Sequence, residues 1–371
     1  VSRNAPLQFV GLCFRLAAAL LPCLAPGPAR ASDAPPVLPS HAQVVSVENP
    51  GAITDFQASP AVVQQMVDSG LTRLTGKPTA AEAWRSLVSP NEVIGLKVFS
   101  EPGMLSGTRP AVVAAVIQGL IAAGIPATNL LIWDKREDDL RAAGFFRLAA
   151  QWGVPIAGSL EAGYDPSSFY QPDTAILGNL IWSDLEFGQT NAGAGRKSFF
   201  SRLVSQRMTR IISLAPLLNQ EAAGVCGHLY GLALGSVDNT RRFEADPYRL
   251  AAAVPELYAR PLLGDRVVLN ITDALIGQYE GGARSLLHYS CVLNQLWFSR
   301  DPVALDMLSN KELDRERRML DAPQFRPNLD LYANAHLLQL GQNDLTQIHV
   351  EKIRLSPARP VPGGILPAPM K

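Results

Sequence analysis

Three carboxylates are the residues of this chain best placed to do chemistry. Asp134 follows the apolar run Asn129-Leu-Leu-Ile-Trp133, Asp273 follows Arg266-Val-Val-Leu-Asn-Ile271, and Glu280 lies in the glycine-rich turn Gln278-Tyr-Glu-Gly-Gly282. Gathered at one edge, such acids would offer oxygen ligands to a divalent cation, or acceptors to the hydroxyls of a small-molecule ligand. The ordinary alternative is that each caps a helix or turn. A second feature is the loop Ser100 to Gly107, which leads into Thr108-Arg-Pro110. A helix opening there aims N–H groups at an anion, although the loop lacks the lysine of a P-loop and the spacing of a dinucleotide fingerprint. Arg241 and Arg242 are candidate partners for the same anion. Arg196, Lys197, Arg202, Arg207 and Arg210 form the one basic cluster, which reads as a solvated face or as a clamp for phosphate or carboxylate. His228 and His288 lack paired-ligand spacing, and no Gly-x-Ser-x-Gly elbow occurs, so both histidines read as structural.

The elements that must position these residues alternate between strand and helix. Strands are expected at Val44 to Val47, Val93 to Phe99, Asn129 to Trp133, Arg210 to Ala215 (ended by Pro216), Arg266 to Ile271, Cys291 to Phe298 and Gln347 to Leu355. Helices are expected from Ser59-Pro60, over Thr79 to Leu87, after Pro110, over Glu137 to Trp152, and from Asp301-Pro302 to Arg317, with Pro at the favoured first position in three of them. Within the last helix Asp306 is expected to pair with a neighbouring base. This order predicts an α/β fold with a predominantly parallel, Rossmann-like layered sheet and helices on both faces. In such a sheet the carboxyl ends of the strands form one edge, where open α/β folds place their ligands. Thr108, Asp134, Arg241, Arg242, Asp273 and Glu280 are accordingly the expected ligand-binding residues, with Asp134, Asp273 and Glu280 as the metal candidates.

Residues 1–31 read as a secretory signal: Arg3 and Arg15 precede the apolar run begun at Leu16, and Ala29-Arg30-Ala31 fits a cleavage site. The expected organisation is a lead-in at 32–43, one α/β domain at 44–355 with an irregular insertion at about 158–209, and a Pro-rich tail at 356–371. Export to the periplasm or the extracellular space follows, with no stable membrane span after cleavage, because the apolar run is too short to cross a bilayer. The whole chain has 33 basic and 33 acidic residues, and loss of Arg3, Arg15 and Arg30 leaves a net charge of −3. That balance argues against nucleic acid as a partner. Of four cysteines, Cys226 and Cys291 would remain, bonded or free; no iron–sulfur cluster is expected from two thiolates.

The motifs together resemble the family catalogued as domain of unknown function 362. The likeness rests on Gly95-Leu-Lys-Val98, Thr108-x-Pro110, the strand ending in Asp134, Gly224-Val-x-Gly227, Asp273-Ala-Leu-x-Gly-Gln-Tyr-Glu-Gly-Gly282 and Asp301-Pro-Val-Ala-Leu-Asp306, and spans most of residues 44–355. The resemblance implies an α/β fold and a loose association with redox chemistry through ferredoxin-type cysteine runs, which this chain lacks. It also implies polar or basic residues where this chain has Phe99, Asn219, Glu221, Tyr230-Gly231 and Glu244. Two functions follow as expectations. One is an exported protein binding a small anionic ligand or a metal at the strand edge, as a redox-linked enzyme. The other is a non-catalytic ligand- or partner-binding protein that has lost the family's polar residues.

Overall fold

Alternation of side chains along extended backbone divides this molecule into two cores. In Ile94–Val98, Ile94, Leu96 and Val98 join one apolar cluster, while Gly95 and Lys97 turn to the opposite face. Leu130–Asp134 repeats the pattern, with Leu130 and Ile132 in the first cluster and Leu131 and Trp133 in the second. A sheet apolar on both faces must be covered on both, and helices do so. The computed structural model describes residues 41–356, apart from 245, 324 and 325. The expected signal at 1–31 and all but the first residue of the tail at 356–371 lie outside the described residues. The described residues fall within one compact unit.

The main sheet has eight principal strands: β1 (Ala42–Glu48), β2 (Ile94–Val98), β3 (Leu130–Asp134), β4 (Ile156–Gly158), β5 (Arg210–Gln220), β6 (Val267–Gln278), β7 (Ser290–Ser299) and β8 (Ile348–Arg354). Their spatial order is β8-β1-β7-β6-β5-β2-β3-β4, and Gly224–Val225 adds a short strand folded back on β5. Only β7 runs against the others, antiparallel to both β1 and β6. The remaining neighbours pair in parallel. The fold is therefore α/β with a predominantly parallel sheet. One face packs under α1 (Pro60–Thr75), α2 (Ala80–Arg85), α3 (Pro110–Ala122), α4 (Glu137–Ala142) and α5 (Phe145–Trp152). The other packs under α6 (His228–Ser236), α7 (Pro247–Tyr258), α8 (Pro302–Met319) and α9 (Leu329–Leu337). Each fully buried Leu, Ile or Val in these layers contributes about 1.5–3 kcal/mol.

Three local expectations change. Residues 137–152 form two helices, because Gly144 takes a left-handed conformation (φ 82°) that breaks the helix between them; only glycine adopts that conformation at little cost. Pro216 does not end its strand. The ladder to β2 stops at Leu214↔Val98, so a residue lacking N–H is tolerated on that side while β5 continues beside β6. Most consequential for function, β6 extends to Gln278, because Ala274-Leu-Ile276 prolongs its apolar run. Asp273 is therefore inside a strand, across from Leu296, rather than at a strand end. The irregular stretch at 158–209 holds the ladder of Tyr164–Tyr170 with Ser198–Ser201, and a hairpin based on Gly178–Asn179 and Ala194–Gly195.

Candidate functional site

The end of β3 does bring Asp134 to the carboxyl edge, but the carboxylate is buried and fully engaged. Lys97 Nζ, arriving from the adjacent strand β2, lies 2.7 Å from its Oδ1. Ser100 donates to Oδ2 from both its backbone N–H and its hydroxyl, each at 2.7 Å. Lys97 also donates to the Val98 carbonyl at 2.6 Å, and its ammonium lies 5.6 Å from the Trp133 ring centre. α6 closes over this pair: a Cβ on Gly235 would meet Lys97 Cε at 2.5 Å. A lysine inside an apolar strand is seldom buried without a partner, and that was the sequence signal for the pair.

Asp273 is fully buried and belongs to a different assembly. It accepts from the Arg109 backbone N–H at 2.9 Å and from the Arg109 guanidinium at 3.0 Å. The same guanidinium donates to the carbonyls of Leu105 and Ile276. Thr108 is consumed as well, its hydroxyl donating to the Leu214 carbonyl at 2.6 Å and accepting from Phe99 N–H at 2.9 Å. Glu280 faces a third base, with Arg317 Nε 3.8 Å from its carboxylate. Arg317 also donates to Asn219 Oδ1 at 2.6 Å and to the Tyr279 carbonyl.

The expected gathering of Asp134, Asp273 and Glu280 is thus corrected: Lys97, Arg109 and Arg317 each take one acid, on separate elements. Among the described residues no group of three or more His, Cys, Asp or Glu side chains is arranged to hold a metal ion. Unpaired carboxylates in one cleft would repel, and this chain places a base beside each instead.

The other nominated residues are also structural. Arg242 is buried and donates to the carbonyls of Tyr170, Ile176 and Arg196 and to the Ser198 hydroxyl, tying the 158–209 segment to the body. Arg241 is exposed and does not join it. Among the described residues Asp306 has no basic partner. It caps α6 instead, accepting from His228 N–H at 2.7 Å and Leu229 N–H at 3.0 Å, and burial pushes its carboxyl up to about 7. His228 bridges two strands, with Nδ1 2.8 Å from the Ser213 hydroxyl and Nε2 3.0 Å from that of Thr272. Burial pushes its imidazole down to about 3. Cys226 and Cys291 are free thiols.

What faces outward at this edge is a different set of acids, of which the sequence reading singles out only Glu244, as a departure from the family pattern. Glu101 follows β2, Asp139 lies in α4 after β3, and Glu244 ends the short turn Arg241–Glu244. Partial withdrawal from water, then the like charges of Asp139, Asp134 and Glu244, push the Glu101 carboxyl up. Asp139 is raised chiefly by burial and by Asp134. Tyr230 lies against the same acids: burial, then Glu244, raises its hydroxyl. It accepts from Gln220 at 3.3 Å, and its own hydrogen has no acceptor among the described residues. Lys135 is occupied nearby, donating to the Leu234 and Val237 carbonyls at the end of α6. Two open grooves lie elsewhere. One, of about 820 Å³, runs between 170–176 and α7, where Arg249 and Arg260 are balanced by Asp173 and Glu256. The other, of about 1030 Å³, lies beside α8.

No family model and no curated protein matches this chain. A solved structure of a protein from Thermotoga maritima is similar over 73% of this chain and 61% of that one, at 10% sequence identity and a TM-score of 0.38. This chain therefore spans less than two thirds of that neighbour, and a likeness of this extent carries no argument about function.

Proposed function

We propose that this chain is a binding protein rather than an enzyme, and that it holds a small ligand bearing an amine or guanidinium at the carboxyl edge of the sheet. One observation carries the reading. The buried acids Asp134 and Asp273 and the half-buried Glu280 each have a base of their own, whereas Glu101, Asp139 and Glu244 form no ion pair among the described residues. Their like charges are offset only in part by Arg136, which opposes the rise at Glu101 and Asp139; the remaining repulsion costs stability, and such cost is commonly retained where a binding partner relieves it. A cation-bearing ligand would do so, and the Tyr230 hydroxyl oxygen, which accepts from Gln220, has a second lone pair to accept from an N–H of that ligand beside the same acids. The resemblance to domain of unknown function 362 points the same way, because Tyr230 and Glu244 stand where that pattern carries basic residues. Losing a positive charge at Tyr230 and reversing it at Glu244 would turn the preference from the anion first expected to a cation.

Thermal-shift measurements with small primary amines and guanidines, against carboxylates of matching size, test this. The cations should raise the melting temperature of the wild type and the anions should not. Replacement of Glu101 and Glu244 by Gln should abolish the response. Stabilisation by the anions alone, or an undiminished response in the double variant, would rule the reading out.

A further inference from the structure

A groove of about 300 Å³ opens between α1, α3 and α5, on the face of the sheet opposite α6. Its walls are mostly apolar. Ala111, Ala114 and Ala115 recur along one side of α3, where short side chains leave room, and Leu148 and Trp152 of α5 line it too. Along α3 it runs from Pro110 to Gln118, about 12 Å at the helical rise per residue.

The charge of this groove has one sign. Arg147, exposed on α5, lines it and forms no ion pair among the described residues. α3 and α5 contain no acid, and Arg147 is the one charged residue in the two helices. No acid of α1 or α4 lines the groove either. Asp68 of α1 accepts from Gln64 Nε2 at 3.0 Å, and Asp139 of α4 lies with Glu101 and Asp134. Asp273, at the start of α3, is matched by Arg109. α1 opens onto the groove at Pro60, without a side-chain cap and without an acid in its first turn, so its dipole adds to the positive field. The grooves of about 820 Å³ and 1030 Å³ differ in carrying charges of both signs.

We propose that this groove is a second site, independent of the cation site, for a small carboxylate carrying a hydrocarbon tail. The Arg147 guanidinium, with the field of α1, holds the carboxylate, and the tail lies over the alanines of α3 beside Leu148 and Trp152. The volume is that of a small-molecule site rather than of a docking surface for a folded partner. One cation suits a monoanion. A phosphate dianion would find few charged donors here and would leave the apolar walls in water, whereas a tail removes them from it.

Titration calorimetry at pH 7 with octanoate, its shorter homologues and octanol tests the proposal. Octanoate should bind one to one, and affinity should fall about twofold or more with each methylene removed, so that acetate and propionate give no measurable heat. Octanol, with the same tail and no charge, should bind about tenfold more weakly or worse. Arg147→Gln should lower octanoate affinity about tenfold, because it removes the charge from the hydrogen bond to the carboxylate. Ala114 is half-buried, and Ala114→Leu should lower affinity by filling the groove while the circular dichroism spectrum stays that of the wild type. Absence of octanoate binding, octanol binding as tight as octanoate, or an affinity unchanged in both variants would overturn the proposal.

Discussion

His228 and Asp306 touch, yet they give this protein opposite responses to acid. The imidazole is held down at about 3 by burial, against an ordinary value of 6.5. Below about pH 6.5 the unfolded chain takes up a proton that the folded chain refuses, so stability is lost as pH falls toward 3, by about 1.4 kcal/mol per pH unit. Asp306 is held up at about 7 against an ordinary 3.8. Between those values the folded chain binds the proton and the unfolded chain does not, so stability is gained as pH falls from about 7 to about 4 by a similar slope. In the wild type the two terms nearly cancel between about pH 6 and pH 4. Replacing His228 with Gln should remove one of them. Denaturant unfolding across that range should then show the variant gaining stability as pH falls, by about 1.4 kcal/mol per pH unit, while the wild type stays nearly level. Parallel pH profiles would contradict the assignment of His228 as a neutral, buried strand bridge.

At the scale of elements, α6 is the helix whose placement matters most. Asp306 caps its start, Lys135 collects the carbonyls at its end, and Gly235 lets it approach β2. Helix propensity alone would have Gly235→Ala stabilise the chain by about 1 kcal/mol. Contact predicts the reverse sign. The new Cβ would lie 2.5 Å from Lys97 Cε, and any shift that relieves it disturbs the buried Lys97–Asp134 pair. Thermal unfolding of Gly235→Ala should therefore show a lower midpoint than wild type, corresponding to about 1–3 kcal/mol. A higher midpoint would mean that α6 is free to shift away from β2.

Across the whole molecule, the sheet and the two helical layers were legible because period-two and helical patterns are local. Val93 to Phe99 and Asn129 to Trp133 declare themselves as strands by their own residues. Asp301-Pro302 announces a helix start in the same way, and Asp301 does accept from Ala304 N–H at 2.8 Å. The site was less legible because pairing is not local: Arg109 and Asp273 are 164 residues apart, and Asp306 lies 78 residues from the helix it caps. Acids following apolar runs looked like ligands until their bases were placed beside them. Glu101 and Asp139 went unnoticed, and Glu244 was noticed only as a departure from the family pattern, for the opposite reason. Glu101 and Glu244 lie in unremarkable turns and Asp139 in the first turn of α4, and they come near one another only through the order of β2, β3 and α6.

The central claim is a division of labour in which buried carboxylates hold the fold and outer carboxylates are available to a ligand. Equilibrium urea unfolding of Asp273→Asn and Glu101→Gln beside the wild type tests it most directly. The account predicts that Asp273→Asn loses about 3–5 kcal/mol, because the Arg109 charge is left buried without its counterion. It predicts that Glu101→Gln stays within about 0.5 kcal/mol of the wild type or becomes more stable, since it removes a repelled charge. An Asp273→Asn variant as stable as the wild type, alongside a destabilised Glu101→Gln, would contradict it.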